Sequence, residues 1–270
     1  MTEFHLHLVS DATGETLNSI AHAAIVQFED AQPIEHTWAL VRTARQVQKV
    51  LREIEANPGI VMFTMVDNVM RDLLQTGCRD LQVPCIPVLD SVMAALAGFL
   101  GETAVNLPGI QYVMDADYFE RIEAMTFTLA HDDGQGTANL KEADIILVGV
   151  SRTSKTPTAI YLANRGLKVA NVPLVPNCPL PDELDGQMAG LVVGLTTSPE
   201  RLVQIRRNRL LALKQDEETE YIEFDAVRDE VKSARRLFSS REWPVIDVTR
   251  RSIEETAAAI LNLHHDHAAS

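Results

Sequence analysis

The sequence predicts an α/β protein: an N-terminal open parallel-sheet region followed by a second α/β domain. Two observations carry this reading. Strand-like apolar runs alternate with helical stretches through the first half of the chain, the rhythm of a parallel sheet with helices on both faces. Residues 143–177 then read as a buried strand, a loop, a helix and a second buried strand.

The elements follow in order. Residues 4–9 form a strand in which His5 and His7 alternate with Leu6 and Leu8, giving it a polar face. Residues 16–29 have helical spacing through Leu17, Ile20, Ala24 and Phe28. Residues 38–41 read as a strand, 44–56 as an amphipathic helix and 60–66 as a buried strand. A short helix over 68–76 is expected to stop before Gly77, followed by a strand at 85–89 and a helix at 91–100. The rhythm breaks over 101–117, at Gly101, Pro108 and Gly109. That break sets the expected domains: 1–105 for the N-terminal α/β region and 106–270 for the second, with its core from about residue 143.

In the second half, a helix over 117–123 and a strand over 125–129 are expected to lead to His131, Asp132, Asp133 and Gly134. Residues 145–148 are a continuous apolar run, as a central parallel strand requires. Pro157 suits a first helical turn, and Gly166 suits the end of that helix. A buried strand at 191–195, a helix at 200–213, a polar stretch at 215–220 and a charged helix to Phe238 come next. A last strand at 245–248 precedes Ser252 and Glu255, a capping box that opens a final helix. No internal repeat stands out.

Composition bounds the function. Net charge is −14, against a general binder of nucleic acid or anionic membrane. Three cysteines, Cys78, Cys85 and Cys178, show neither C-x-x-C nor zinc spacing, as suits a reducing cytosol. No apolar stretch reaches membrane-span length, and no signal-like segment precedes the first strand. A cytoplasmic protein is the expectation.

The loop Gly149, Val150, Ser151, Arg152, Thr153, Ser154, Lys155, Thr156 nearly matches G-x-x-x-x-G-K-[ST]. With its strand and helix it marks the second domain as P-loop kinase-like. Backbone N–H groups at the helix start would cradle phosphate, Lys155 would reach the phosphate being cleaved, and Thr156 would hold Mg²⁺. Ser154 stands where the pattern has its second glycine, a position that often needs positive φ.

Other constellations leave alternatives open. Ser10, Asp11, Thr13 and Gly14 follow the first strand; they could bind an anion or simply cap the helix, Asp11 as acid/base, cation ligand or cap. Asp132 and Asp133 suit a metal site or a base, with His131 to orient one of them, or else a solvated acidic turn. Arg206 and Arg209, three apart, could form a phosphate-clamping face with Arg201 and Arg207, or a solvated helix. Asp247 is one option for a Walker-B carboxylate. His264, His265 and His267 read as a disordered, solvated tail.

Four stretches together resemble one family: 10–16 (S-D-A-T-G-E-T), 130–134 (A-H-D-D-G), 149–157 with 170–173 (A-N-V-P), and 194–202 (G-L-T-T-S-P-E-R-L). The chain resembles the regulatory proteins of pyruvate, phosphate dikinase and phosphoenolpyruvate synthase over nearly its whole length. The resemblance implies a bifunctional phosphotransferase. It would use ADP to phosphorylate a threonine of the target, inactivating it, and inorganic phosphate to remove that group as pyrophosphate. The nucleotide would sit on Gly149 to Thr156, and the protein partner would be the dikinase or the synthase. Ser154 and the S-D-A-T-G-E-T opening look more like the dikinase branch. A small-molecule kinase and a non-catalytic nucleotide sensor are the rival readings, and self-association into a homodimer stays open.

Overall fold

The computed structural model describes residues 2–110, 116–135, 137–176, 178–185, 190–213 and 220–269. The chain divides into two compact units, Met1–Val113 and Met114–Ser270. The expected polar stretch at 215–220 lies, except for Glu220, outside the described residues, as do residues 111–115 of the break and Gly136.

Unit 1 contains β1 (Thr2–Ser10), α1 (Glu15–Ile25), β2 (Ala31–Trp38), α2 (Ala44–Ala56), β3 (Gly59–Thr64), α3 (Asn68–Asp80), β4 (Cys85–Pro87) and α4 (Asp90–Leu100). Its four strands are parallel in the order β2-β1-β3-β4. Period-two alternation sends Leu6 and Leu8 of β1 toward Leu17 and Ala21 of α1. Val9 points the other way, with Val61 and Phe63 of β3, onto Val47, Val50 and Ile54 of α2 and Leu74 of α3.

Three expectations for this unit are corrected. The second strand lies at Ala31–Trp38 and not at 38–41: Thr2↔Ala31 through Val9↔Trp38 pair along the sheet edge, where Pro33 is tolerated. Helix α3 continues through Gly77 to Asp80; a Cβ on Gly77 would meet Leu51 Cδ1 at 2.4 Å, so this glycine admits α2 closely instead of ending α3. His7 is no part of a polar face. It is fully buried, bonded through Nε2 to the Asn57 carbonyl at 2.9 Å and through Nδ1 to Trp38 Nε1 at 3.4 Å, and stacked 4.5 Å from His36. Burial lowers its pKa.

Unit 2 contains α5 (Ala116–Ala130), a 3₁₀ turn (Thr137–Glu142), β5 (Ile145–Val150), α6 (Lys155–Ala163), β6 (Val169–Leu174), β7 (Leu191–Thr196), α7 (Pro199–Leu213), α8 (Phe224–Ser240), β8 (Val245–Asp247) and α9 (Ile253–Ala268). Its parallel strands run β6-β5-β7-β8. Every residue of β5 and β7 is buried, because both sheet faces are covered. Ile146 and Val148 pack against Val227, Val231 and Phe238 of α8. Ile145 and Leu147 pack against Leu162 of α6 and Ala257 and Ile260 of α9.

Here too, two expectations change. Residues 125–129 belong to the single helix α5, whose Ala124, Thr128 and the following His131 recur at helical spacing on the buried side. Residues 264–267 are helical, since α9, opened by the Ser252–Glu255 capping box, runs to Ala268. Among the described residues, no helix is long and apolar enough to cross a membrane.

Both sheets place their strands in the same order, second-first-third-fourth, a repetition invisible in the sequence. In each, the connections leave in opposite directions on either side of the first strand, the point where open α/β sheets bind ligands.

Gly194 on β7 lies under Phe238, whose ring carbon would stand 2.6 Å from an added Cβ. Gly194→Ala should lower stability by about 1–3 kcal/mol, the usual scale of overpacking. Urea unfolding monitored by circular dichroism should show a lower midpoint with an unchanged m-value.

Candidate active site

Strand β5 delivers the chain to the loop at its carboxyl end. Gly149 has no room for a side chain: a Cβ would meet the Leu195 carbonyl at 2.6 Å and Thr153 Oγ1 at 2.9 Å. Thr153 Oγ1, fully buried, donates to the Val150 carbonyl at 3.0 Å and closes the turn. Arg152 and Ser154 take positive φ, 74° and 59°. Ser154 therefore adopts the left-handed conformation for which glycine is the usual choice, a strain of order 1 kcal/mol. It places no side-chain cap on α6, leaving first-turn N–H groups directed at the loop mouth.

Lys155 is 5% exposed. Its Nζ donates to the Gly149 carbonyl at 2.8 Å and the Val150 carbonyl at 3.0 Å, which leaves one N–H of the ammonium for a phosphate oxygen. Burial pulls its pKa down to about 8; Asp133 and then Asp132 oppose that fall, while Arg206 and Arg152 add to it.

The His131–Gly134 loop is pinned to the edge of the sheet. Asn171 N donates to the His131 carbonyl at 2.9 Å, and Gly134 N donates to the Asn171 carbonyl at 2.9 Å. Asp133 and Gly134 both take positive φ, which turns the chain back. This brings Asp132 to the start of α6. Thr156 Oγ1 donates to Asp132 Oδ1 at 2.8 Å, and Asn171 Nδ2 donates to Asp132 Oδ1 at 2.6 Å and to Thr156 Oγ1 at 3.0 Å. Among the described residues, the Asn171 Oδ1 atom is buried without a hydrogen-bond partner. The Thr156 hydroxyl and the Asp132 carboxylate are hard donors that fit a small divalent cation retaining several waters. Among the described residues, no group of three or more His, Cys, Asp or Glu could by itself hold a metal ion, and Mg²⁺ at a phosphate needs only one or two carboxylates.

The two acidic residues thus differ. Asp132 is half-buried and bonded to Thr156 and Asn171, whereas Asp133 is exposed and faces Lys155 electrostatically. His131 turns away from both: its Nδ1 meets the Phe127 carbonyl at 2.8 Å, and its ring stacks 3.9 Å from Phe127.

The arginines do not share a phosphate-facing surface. Arg206 is 1% exposed, holding Glu230 at 2.6 and 3.2 Å, the Tyr221 carbonyl at 3.0 Å and the Ser151 carbonyl at 3.4 Å. It stacks 4.4 Å from the Tyr221 ring. Arg201, Arg207 and Arg209 are exposed. Arg206 therefore braces the loop from behind. Asp247 is engaged elsewhere, with Thr249 N at 2.9 Å and Arg235 at 3.3 Å; the carboxylate beside Thr156 is Asp132. Sequence reasoning held Asn171 only as part of the 170–173 stretch, without a role, and missed Tyr221. A polar residue inside the apolar strand Val169–Leu174 was a further signal for the first; nothing local marked the second.

The Ser10–Gly14 segment belongs to unit 1, at the carboxyl end of its own sheet. Ser10 Oγ accepts from Ala12 N at 3.1 Å and Thr64 Oγ1 at 3.0 Å, and Asp11 Oδ2 accepts from Val66 N at 2.7 Å. Arg42 Nε donates to the Asp11 carbonyl at 2.7 Å. Gly14 (φ 85°) opens α1, and Thr13 lies in the same loop. A cleft of about 400 Å³ sits over Ser10, Asp11, Gly14 and Thr64. In this structure Asp11 ties the loop after β1 to that after β3.

Comparison with known proteins gives one family. The kinase/pyrophosphorylase family profile matches residues 6–261. A protein of Paramagnetospirillum magneticum is 58% identical over 99% of this chain and 86% of its own length. One of Caulobacter vibrioides is 57% identical over 97% of this chain and 83% of its own, and one of Sphingopyxis alaskensis 53% identical over the full length of both. All three are provisionally named pyruvate, phosphate dikinase regulatory protein.

Burial of Lys155 has a measurable consequence. Its folded pKa, about 8, lies below the ordinary lysine value of 10.5, so the unfolded chain binds more protons between those two values. Stability from this group is therefore lowest below pH 8 and rises with pH up to 10.5. Urea unfolding at pH 7 and pH 10 should show the native protein gaining roughly 3 kcal/mol relative to Lys155→Met. Equal pH dependence of the two proteins would contradict the buried-ammonium account.

Proposed function

The chain belongs to the kinase/pyrophosphorylase family, and from that premise we propose that it regulates pyruvate, phosphate dikinase by reversible phosphorylation of a threonine, with ADP as donor and a cytoplasmic location. The observation that carries this reading is the contact between two motifs: Asp132 meets Thr156 at 2.8 Å beside the buried Lys155. A phosphate cradle, a cation site and a free carboxylate then stand together, the three needs of in-line phosphoryl transfer. The relatives' names support the dikinase as target over phosphoenolpyruvate synthase.

In the inactivating direction the threonine oxygen attacks the β-phosphorus of ADP. The bond from that phosphorus to the bridging oxygen breaks, and AMP leaves. Asp133, exposed and unbonded among the described residues, takes the threonine proton. The loop N–H groups and the third N–H of Lys155 hold the transferring group's oxygens. Asp132 and Thr156 would hold Mg²⁺, which neutralises phosphate charge when bound. In the activating direction inorganic phosphate attacks the phosphothreonine phosphorus, pyrophosphate forms, and the threonine oxygen leaves with a proton returned from Asp133. Both steps pass one phosphoryl group between a threonine oxygen and a phosphate oxygen, so one cradle serves both.

Incubation with purified dikinase and ADP should place phosphate on a threonine, located by mass spectrometry, and ADP-free ATP should serve less well. Lys155→Ala should slow both directions by roughly 10²–10³-fold, the scale of one preorganised donor. Asp133→Asn should slow threonine phosphorylation by about 10²-fold or more, while Asp132→Asn should raise the Mg²⁺ concentration needed for half-maximal rate. Transfer only to a small metabolite, or nucleotide binding without any transfer, would replace this reading with a metabolite kinase or a sensor.

A further inference from the structure

Unit 2 has a cleft of about 660 Å³ between the carboxyl end of β6 and the face of α8, lined among others by Leu174, Val175, Tyr221, Asp229, Ser233 and Leu237. Its size and largely apolar wall with a few polar groups are those of a small-molecule site. Tyr221 joins it to the phosphate loop. The phenol oxygen lies 3.4 Å from Ser151 Oγ and 3.4 Å from Arg152 Nε, and the ring is held in place by the buried Arg206 stacked on it. Glu230, also at the cleft, has both oxygens committed to Arg206, so the cleft wall and the loop brace are one construction.

In-line chemistry assigns the direction. The attacking oxygen and the leaving group lie on opposite sides of the transferring phosphorus. Asp133, which serves attack, follows Asp132, and Asp132 meets the loop at its helix end, at Thr156. The leaving nucleoside monophosphate then extends toward the other end, where Ser151, Arg152 and Tyr221 meet. We propose that this cleft is the nucleoside subsite of the diphosphate donor. A planar base lies on the apolar wall of Leu174, Val175 and Leu237, and the side chain of Asp229, 70% exposed and 3.8 Å from Arg228 Nε through Oδ1, accepts from the ribose hydroxyls through its other oxygen, as acidic residues do in other α/β nucleotide sites. The inference rests on the donor reading above, and it explains how one cradle takes either ADP or inorganic phosphate: the nucleoside's contacts lie outside the cradle.

The test is isothermal titration of the whole protein, with magnesium chloride, using ADP and pyrophosphate as separate probes. The native protein should bind ADP more tightly than pyrophosphate. Ser233→Trp, which fills the cleft from an exposed helix position, should weaken ADP roughly tenfold or more while pyrophosphate affinity stays within about twofold. Asp229→Asn, a near-isosteric change, should weaken ADP several-fold and relax discrimination against 2′-deoxy-ADP, and it keeps the test open if the Trp variant fails to fold. Native protein that binds ADP no better than pyrophosphate, or variants that bind ADP as the native protein does, overturn the cleft. A nucleoside-dependent gain in binding that both variants lose, in a protein that transfers no phosphate from ADP, supports the cleft and refutes the donor reading.

Discussion

Asn171 is the residue on which the site depends. Its backbone N–H and carbonyl clamp the His131–Gly134 loop to the edge of the sheet, at 2.9 Å in each direction. Its side-chain amide reaches Asp132 and Thr156 at once. A loop after one helix and the first turn of another are thereby fixed to a single strand position, Leu147↔Asn171, one strand away from the phosphate loop. Loops alone do not hold carboxylates to the sub-ångström tolerance that phosphoryl transfer asks for; a strand buried in a parallel sheet does.

Around that point the structure concentrates unfavourable elements. Two non-glycine residues of one short loop, Arg152 and Ser154, sit at positive φ, and two cations, Lys155 and Arg206, are nearly sealed from water. An isolated buried ammonium or guanidinium would be costly, and each is met by oxygens: loop carbonyls for Lys155, and Glu230 with two carbonyls for Arg206. Among the described residues, Arg206 Nε still lacks a hydrogen-bond partner. The compensation for these costs is the core beneath. Strand β5 is buried at every position, and its neighbours carry helices on both faces. Strain at a binding loop persists where the surroundings over-determine it.

The two units use the same strand order, and each sets a loop with a left-handed residue at the reversal point beside its first strand. They differ in what the loop does with its polar groups. In unit 2 the buried Lys155 turns its Nζ onto the loop's own carbonyls, those of Gly149 and Val150. In unit 1 the side chains of Ser10 and Asp11 are spent on Ala12, Thr64 and Val66. One topology thus carries a loop filled by a buried lysine in one case and a turn braced by its own side chains in the other.

Much of this was readable from the chain alone. Helix α2, strands β5 and β7 and the capping box of α9 follow from periodicity and local chemistry, because burial on both faces and helix ends are set within a few residues. So was the place of residues 149–156, a loop between a buried strand and a helix. The misplacement of β2 and the helical continuation through Gly77 share one kind of cause: sheet register and the close approach of α2 to α3 decided them, and neither is local. Residues 125–129 are the tail of one long helix, whose buried side recurs at Ala124, Thr128 and His131. The division of labour between Asp132 and Asp133 could not be read from two adjacent identical residues; only the pairing of their loop with Asn171 sends one toward Thr156 and leaves the other in solvent. The sequence by itself determined which residue types were on hand for phosphate chemistry, because that demand is met by spacing. Only the tertiary structure decided which arginine braces, which carboxylate meets the hydroxyl and where Tyr221 lies, because those contacts join positions 24 to 70 residues apart.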